Sequence, residues 1–584
     1  MTDFAAVPDA PQSFDLPLLE ALASDLAAAG YTVDGVADFL GESAAAALGR
    51  DQLVPALLRC REEAQQENPA PVGVMILLWL AGEDVERALL DAAFPRTGAE
   101  GLLALGLLEP APGTGTGTGT GTGGDGGSFR AAVALRPYGS ADAEPAEPAD
   151  ADAEPAAPED AAASEEAASS ADGNLWVASD LGAHQRPGVL RHDHVLGIGQ
   201  ASLSLAQLTV RRNVDRALDL GTGCGIQAFH LLRHARHVTA TDISERALAF
   251  TRFNLLLNAA ALGLDPEQPE NRVSLRLGSL LDPVAGEQFD LVVSNPPFVI
   301  TPRGAGEDPE GRFTYRDGGL AGDEIVATLV RNLHRVLVPG GTAQMLGNWE
   351  IPSDLADTAA PETGGPGSAG WSARIEAWLP QDMDAWVIQR EVLEPAEYAE
   401  MWLRDAAENR DRDEYLASYA AYLADFASRS VSAVGFGSLF LRRRANPGAA
   451  PLRRFEEIPH ALEQPVGPHL GAAVARFDWL AEHPSLAEEH LEVADDVTEE
   501  RHARPGAEHP GVILLRQGAG LRRTNLMSTE LTGFVSASDG ELSVGQIIGA
   551  LAALLGRPDP DFSRGLEAEV RNLVLDGFLV PAPR

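Results

Sequence analysis

The stretch VDRALDLGTGCGIQA, Val214 to Ala228, decides how this 584-residue chain is read. A short apolar run ends at Asp219 and Leu220. Glycines follow at 221, 223 and 225, and a helix-forming run starts at Ile226. Glycine permits the sharp strand-to-helix turn and lets a ligand approach the main chain. A dinucleotide-binding fingerprint would place its third glycine at position 226, to seat a pyrophosphate on the helix start. That position is Ile, which disfavours a nicotinamide-dependent oxidoreductase.

Outward from this loop, two further features fit one ligand site. Seventeen residues after Gly225, TATDIS places Asp242 at the end of the next apolar run. A carboxylate there can accept from both hydroxyls of a ribose. Further on, VSNPPFVI, Val293 to Ile300, ends an apolar run with two prolines. Proline cannot donate a ladder hydrogen bond, so the strand stops there. The stiff loop leaves the Asn295 side-chain carbonyl and the Pro296 carbonyl free to accept from one planar NH2 group. Pro297 holds the loop, and Phe298 offers a face for a planar amide or base.

From Val214 to Arg443, short apolar runs alternate with helical segments, which predicts an α/β sheet. The runs are VDRALDLG, HVTATD, RVSLRLG, FDLVVSN, GTAQMLG, MDAWVIQREVL and AVGFGSLFLRRR. We expect four regions in the chain. Residues 1–110 form a helical N-terminal domain, winged-helix-like, with ribbon strands at 128–138 and 174–181. Residues 111–173, around the first of these strands, are low-complexity and acidic. Residues 182–445 form the α/β domain, and 446–584 a small α+β domain. The segment 140–173 holds eleven acidic and no basic residues, so it reads as disordered.

Composition narrows the partners. Net charge is −42, from 86 acidic and 44 basic residues, and no lysine occurs. Without the acidic segment the charge is still −31, that is −42 plus 11. Such a chain repels nucleic acid at long range unless a local basic patch intervenes. The five arginines of LRRRANPGAAPLRRF, Leu441–Phe455, read as solvated or acid-paired rather than as such a patch. The two cysteines, Cys60 and Cys224, offer neither a disulfide framework nor metal spacing, which suits a reducing cytoplasm. His184, His192 and His194 read as solvated loop residues, and no metal is expected. VGVMILLWLAG, Val72–Gly82, is too short to span a bilayer and reads as a buried helix.

DLGTGCG, the Thr-Asp at 241–242 and NPPF at 295–298 resemble the motifs of class I S-adenosylmethionine-dependent methyltransferases. More narrowly they are similar to the small-domain branch with Asn-Pro-Pro-Phe or Asn-Pro-Pro-Tyr. That branch includes release-factor glutamine, ribosomal-RNA guanine-N2 and N6-adenine methyltransferases. The resemblance covers about residues 190 to 350. It implies a Rossmann-like seven-stranded methyltransferase sheet and S-adenosyl-L-methionine as cofactor. It implies that Asp219, Gly221, Gly223 and Gly225 form the cofactor turn and that Asp242 holds the ribose. It also implies that Asn295, Pro296 and Phe298 hold the target amine, that Asn295 contacts the cofactor as well, and that Gly197 and Gly199 lie near the cofactor. The family often carries an acid after the third strand to contact the adenine. Here Ser279 stands at that place and Asp282 three residues on, and the sequence leaves open which serves.

The implied activity is methyl transfer to a planar amine or amide nitrogen of a macromolecule, RNA or protein. Phe298 and the winged-helix-like flanks slightly favour an exocyclic amine of an RNA base. The acidic balance and RDGGLAGDE, Arg316–Glu324, which resembles the glutamine-modifying branch, favour a protein glutamine. A non-catalytic adaptor that retains the fold is the reading from another class; an idle copy has no reason to keep the glycine loop, Asp242 and Asn295 together.

Overall fold

The computed structural model describes residues 2–50, 52–112, 127–139, 174–182, 185–186, 191–302, 319–353, 370–405, 412–446, 448 and 450–583. The acidic segment 140–173, the Gly-Thr run, His184, residues 316–318 and most of the Gly/Pro loop at 358–370 lie outside the described residues. Two compact units divide the chain. One comprises residues 1–206, 212–445 and 454–456; the other comprises 207–211, 446–453 and 457–584.

The first unit is built on an eight-stranded sheet. Its strands are β1 (Val214–Leu220), β2 (Ala235–Asp242), β3 (Val273–Leu277), β4 (Phe289–Ser294), β5 (Leu337–Pro352), β6 (Met383–Leu393), β7 (Val431–Arg443) and β8 (Arg453–Glu457). Their order is β3-β2-β1-β4-β5-β7-β6-β8. The first five strands are parallel, and β7 runs antiparallel between β5 and β6. All seven expected strands form. The eighth, β8, joins at the edge; its polar sequence RRFEE gives no apolar alternation to find it by. The strand order reverses between β1 and β4, and open α/β sheets bind ligands beyond the carboxyl ends at such a switch point.

Helices cover both faces. On one face lie α1 (Ile226–Leu232) and α2 (Glu245–Leu257). On the other lies α3 (Glu324–Asn332), with its buried Ile325, Val326, Leu329 and Val330. Helices α4 (Ser372–Trp378), α5 (Pro395–Asp405) and α6 (Arg412–Ser428) complete the unit. Buried strands of a parallel sheet read as continuous apolar runs because both faces are covered.

Nearly every residue of α2 from Arg246 to Leu257 is buried, which a two-layer surface helix could not achieve. The N-terminal segment explains it. Residues 2–112 form short helices around Trp79, which packs against Tyr31 and Phe94 at centroid distances of 5.8 and 5.3 Å. The Val72–Gly82 stretch is the buried helix expected, with a π-helical second half at Ile76–Leu80. Two strands form in the region where the first ribbon strand was expected, Ser128–Ala131 and Ala134–Gly139. The second of them pairs with Asn174–Ser179 as an antiparallel ribbon. That ribbon lies on α2: Asn254 exchanges hydrogen bonds with both backbone groups of Ala178, and Asn258 does the same with Trp176. Two amide side chains, four residues apart, thus extend the ladder onto a helix. Arg246 and Arg252 of α2 donate to the carbonyls of Asp9 and Ser13. N-terminal residues and α1–α2 residues share one hydrophobic core.

The second unit has two three-stranded sheets. Helices Gly467–Glu482, Thr529–Ser536, Val544–Leu554 and Pro560–Asp576 pack around Phe534, Val570 and Phe578. A capping box between Ser543 and Gln546 starts the third of these helices.

Candidate active site

A cavity of about 580 Å³ opens at the carboxyl ends of β1, β2 and β4, within the range of small-molecule sites. It is lined by Gly221, Gly223, Asp242, Ser279, Asn295, Pro296 and Pro297, so both sequence motifs reach one pocket. Gly197 and Gly199 line it too.

The glycine loop is held by backbone logic. Gly221 and Gly223 have φ of 76° and 58°, where a side chain would be strained. A Cβ on Gly223 would meet nothing within 4 Å, and one on Gly221 only the Asn295 carbonyl at 4.0 Å. Both therefore face open space. Gly225 does not line the cavity. Its φ of 95° caps α1, and a Cβ there would press on Thr251 at 3.2 Å. The amides of Gly221 and Thr222 both donate to the Thr241 carbonyl at 2.9 Å, which ties β1's end to β2. Thr251 and Asn254 of α2 brace the loop from beneath, donating to the carbonyls of Gly223 at 2.8 Å and Cys224 at 2.9 Å.

Asp242 accepts from the amides of Gly223 at 3.0 Å and Ser244 at 2.9 Å, one on each carboxylate oxygen. Each oxygen keeps a lone pair for a further donor. Burial raises this carboxyl's pKa, and the amides of Ser244, Gly223 and Ile243 oppose that rise. Asp219 is buried beneath the loop and is not part of the lining. Its carboxylate accepts from the Thr222 hydroxyl at 2.7 Å, and burial raises its pKa to about 7. Asp219 thus braces the turn from below.

On the β4 side, the Asn295 side-chain oxygen is buried and without a hydrogen-bond partner. A buried amide oxygen left unpaired costs about 1–3 kcal/mol, so the arrangement is poised for a donor. Phe298 departs from its expected position: it packs against the α3-side core rather than lining the cavity. The lining also includes the apolar residues Leu280, Pro297, Ile325 and Leu329. Leu280 is at φ 47°, a left-handed conformation costing about 1–3 kcal/mol, and strain of this kind concentrates at functional sites. Of the two candidates after β3, Ser279 reaches the cavity and Asp282 starts a short 3-10 turn.

Other residues of the site escaped the sequence reading. Ile243 follows Asp242, is 61 % exposed and lines the cavity, an apolar surface that its place after the acid could have flagged. Tyr398 of α5, fully buried, accepts from the Ile300 amide at 2.8 Å and from Asn348 at 2.9 Å, so it anchors the Pro-Pro loop. The ribbon adds Ala134, Arg136 and Ser179 to the lining.

His194 corrects the expectation of solvated histidines. It is buried against Asp180, which Arg246 holds by two nitrogens at 2.9 and 2.7 Å, and burial lowers the His194 pKa. Of the arginines in Leu441–Phe455, Arg442 pairs with Asp384 and Arg454 with Glu456, both at 2.7 Å, as acid-paired strand-end residues would. Among the described residues no cluster of His, Cys, Asp or Glu could hold a metal. No described helix is long and apolar enough to cross a membrane.

Comparison with known proteins agrees with this geometry. Residues 180–305 match the family model "Methyltransferase small domain", and residues 28–118 match "Domain of unknown function (DUF7059)". The chain is 37% identical over 179 residues to "Release factor glutamine methyltransferase" of Deinococcus radiodurans, covering 30% of this chain and 58% of that one. It is 33% identical over 181 residues to "Ribosomal protein uL3 glutamine methyltransferase" of Bradyrhizobium diazoefficiens, covering 30% and 52%. The chain thus spans about half the length of the curated relatives it matches. A solved SAM-dependent methyltransferase from Thiobacillus denitrificans aligns at 18% identity and TM-score 0.22, over 43% of this chain and 95% of that one, too distant to argue from. The family match, the strand order and the two motifs at one rim agree: the segment 180–305 is similar to the methyltransferase small domain.

Proposed function

We propose that the chain transfers a methyl group from S-adenosylmethionine to the side-chain amide nitrogen of a protein glutamine. The buried, unpartnered Asn295 oxygen on the cavity wall carries this reading. When bound, the cofactor supplies an electrophilic methyl group on a sulfonium sulfur. Gly221 and Gly223 leave the space that its main-chain approach requires, and Asp242 offers the free lone pairs for its ribose hydroxyls. Ile243 and Ser279 line the same cavity as candidates for its adenine.

Asn295 and the Pro296 carbonyl accept from the two N–H groups of the target amide. An amide lone pair is delocalised, and these hydrogen bonds favour the nitrogen that is losing its conjugation. They also stabilise the positive charge developing there, from groups fixed before the reaction. The stiff Pro-Pro loop and its Tyr398 anchor hold that geometry, so alignment supplies much of the rate.

Two observations support glutamine over a base. Phe298 is half-buried against the α3-side core and is not among the described lining residues, and the net charge is −42. Flipped bases are commonly held by aromatic stacking, whereas a glutamine side chain presents a narrow aliphatic stem. The relatives' printed names point the same way. An RNA base amine is the second reading, on the strength of the Asn-Pro-Pro-Phe motif.

The test is incubation with tritiated S-adenosylmethionine and fractionated lysate, with RNase and protease controls. Protease-sensitive label, resolved by mass spectrometry to a methylated glutamine, is expected. RNase-sensitive label supports the base instead, and no label in any polymer favours the adaptor.

A further inference from the structure

The cavity is not built by the methyltransferase segment alone. Ala134 and Arg136 of the N-terminal ribbon line it, as does Ser179 of the partner strand. Residues two apart on a strand share a face, so Ala134 and Arg136 present one surface. Ser179 lies opposite Ala134 in the antiparallel register. The ribbon's place is fixed beside the glycine loop: Asn254 donates through the same nitrogen to the carbonyls of Ala178 and Cys224, each at 2.9 Å.

Charge along the wall is unevenly supplied. The chain has no lysine, and Arg136 is the one arginine among the described lining residues. Two carboxylates share the wall, Asp180 and Asp242. Arg246 already neutralises Asp180 at 2.7 Å, and Asp242 carries the loop amides. A ligand with an α-amino-acid end brings a carboxylate that neither acid tolerates nearby. An arginine satisfies such a carboxylate with charge-assisted, potentially bidentate hydrogen bonds.

We propose that Arg136 binds the carboxylate of the cofactor's amino-acid end, so that the N-terminal module completes the methyl-donor site. The inference rests on the S-adenosylmethionine reading above and adds to it a residue from outside the methyltransferase segment. It also gives the ribbon a role beyond packing. The module selects ligands that carry an α-amino acid over bare thionucleosides.

The test is calorimetry on the full chain with two probes. S-adenosylhomocysteine carries the carboxylate; 5′-methylthioadenosine keeps the nucleoside and sulfur and lacks it. Hydrogen bonds to charged groups translate into about a 10- to 100-fold loss of affinity when one partner is removed. Arg136→Met is expected to weaken S-adenosylhomocysteine by that factor and to leave 5′-methylthioadenosine within about twofold. Arg136→Lys, which restores the charge without the planar fork, is expected to recover part of the loss. The thionucleoside doubles as a folding control, because it still binds a correctly formed pocket. Equal loss for both probes, or no loss for either, overturns the role of Arg136 while the cofactor reading stands. A wild-type chain that binds neither probe overturns the cofactor reading, and this inference with it.

Discussion

Tyr398→Phe separates loop positioning from ligand binding. The Tyr398 ring is fully buried among Ala399, Leu403, Phe426 and Val434, so removing one oxygen leaves the packing nearly unchanged. What is lost is the acceptor for the Ile300 amide at 2.8 Å and the Asn348 amide at 2.9 Å. Two buried donors are then unsatisfied, at about 1–3 kcal/mol each. Partial relaxation of the loop brings the net cost to about 2–4 kcal/mol. Hydrogen exchange resolved to the Ile300 peptide reads this locally, and 2 kcal/mol corresponds to about 30-fold faster exchange. Ile300 follows Asn295 by five residues, so the loosened anchor misplaces the acceptor carbonyls. A 1 Å error in alignment can cost about 100-fold in rate. We expect kcat to fall 10- to 100-fold and S-adenosylhomocysteine affinity to stay within about twofold. Faster exchange at Ile300 with unchanged kcat would refute the reasoning, because the loop would then be positioned from elsewhere.

Other outcomes follow from the same geometry. Asp242→Ala removes the acceptor proposed for the ribose hydroxyls and should weaken S-adenosylhomocysteine by about 100-fold or more in calorimetry, with Asp242→Asn intermediate. Asn254→Ala unpairs Ala178 and the Cys224 carbonyl together; both ribbon protection in hydrogen exchange and cofactor affinity should fall, and loss of only one would uncouple ribbon from loop. Burial raises Asp219 from 3.8 to about 7 in the fold, so the unliganded protein binds that proton more tightly than the unfolded chain does. The resulting stabilisation is complete below about pH 4 and is lost as pH rises through 7, at up to about 1.4 kcal/mol per unit. Asp219→Asn should flatten that slope in thermal melts of the apo protein; an unchanged slope assigns the titration to another group.

The sheet was legible because each of its first seven strands carries a short apolar run, and the site was legible because glycine and proline act through the backbone alone. Asp242, Asn295 and the glycines at 221 and 223 needed only a place at a strand end. The roles that escaped are long-range. Phe298 reads as a stacking face but is half-buried against the core beside α3, whose members come from strands and helices far along the chain. Gly225 sits in the ligand motif yet serves Thr251, 26 positions on. Tyr398, Asn254 and Arg136 carry no local signature, since their partners lie 30 to 98 positions away or are known only from the cavity they share. The α2 helix was recognised, but its burial on nearly every side became intelligible only with the ribbon laid on it.

The most direct measurement pairs S-adenosylhomocysteine calorimetry with tritium transfer for wild type and Asn295→Ala. The account predicts that the variant binds the probe within a few-fold of wild type and transfers no detectable methyl group to glutamine. Joint loss of binding and transfer, or transfer that survives the substitution, would contradict the placement of an acceptor amide at Asn295 beside the donor held over Gly223.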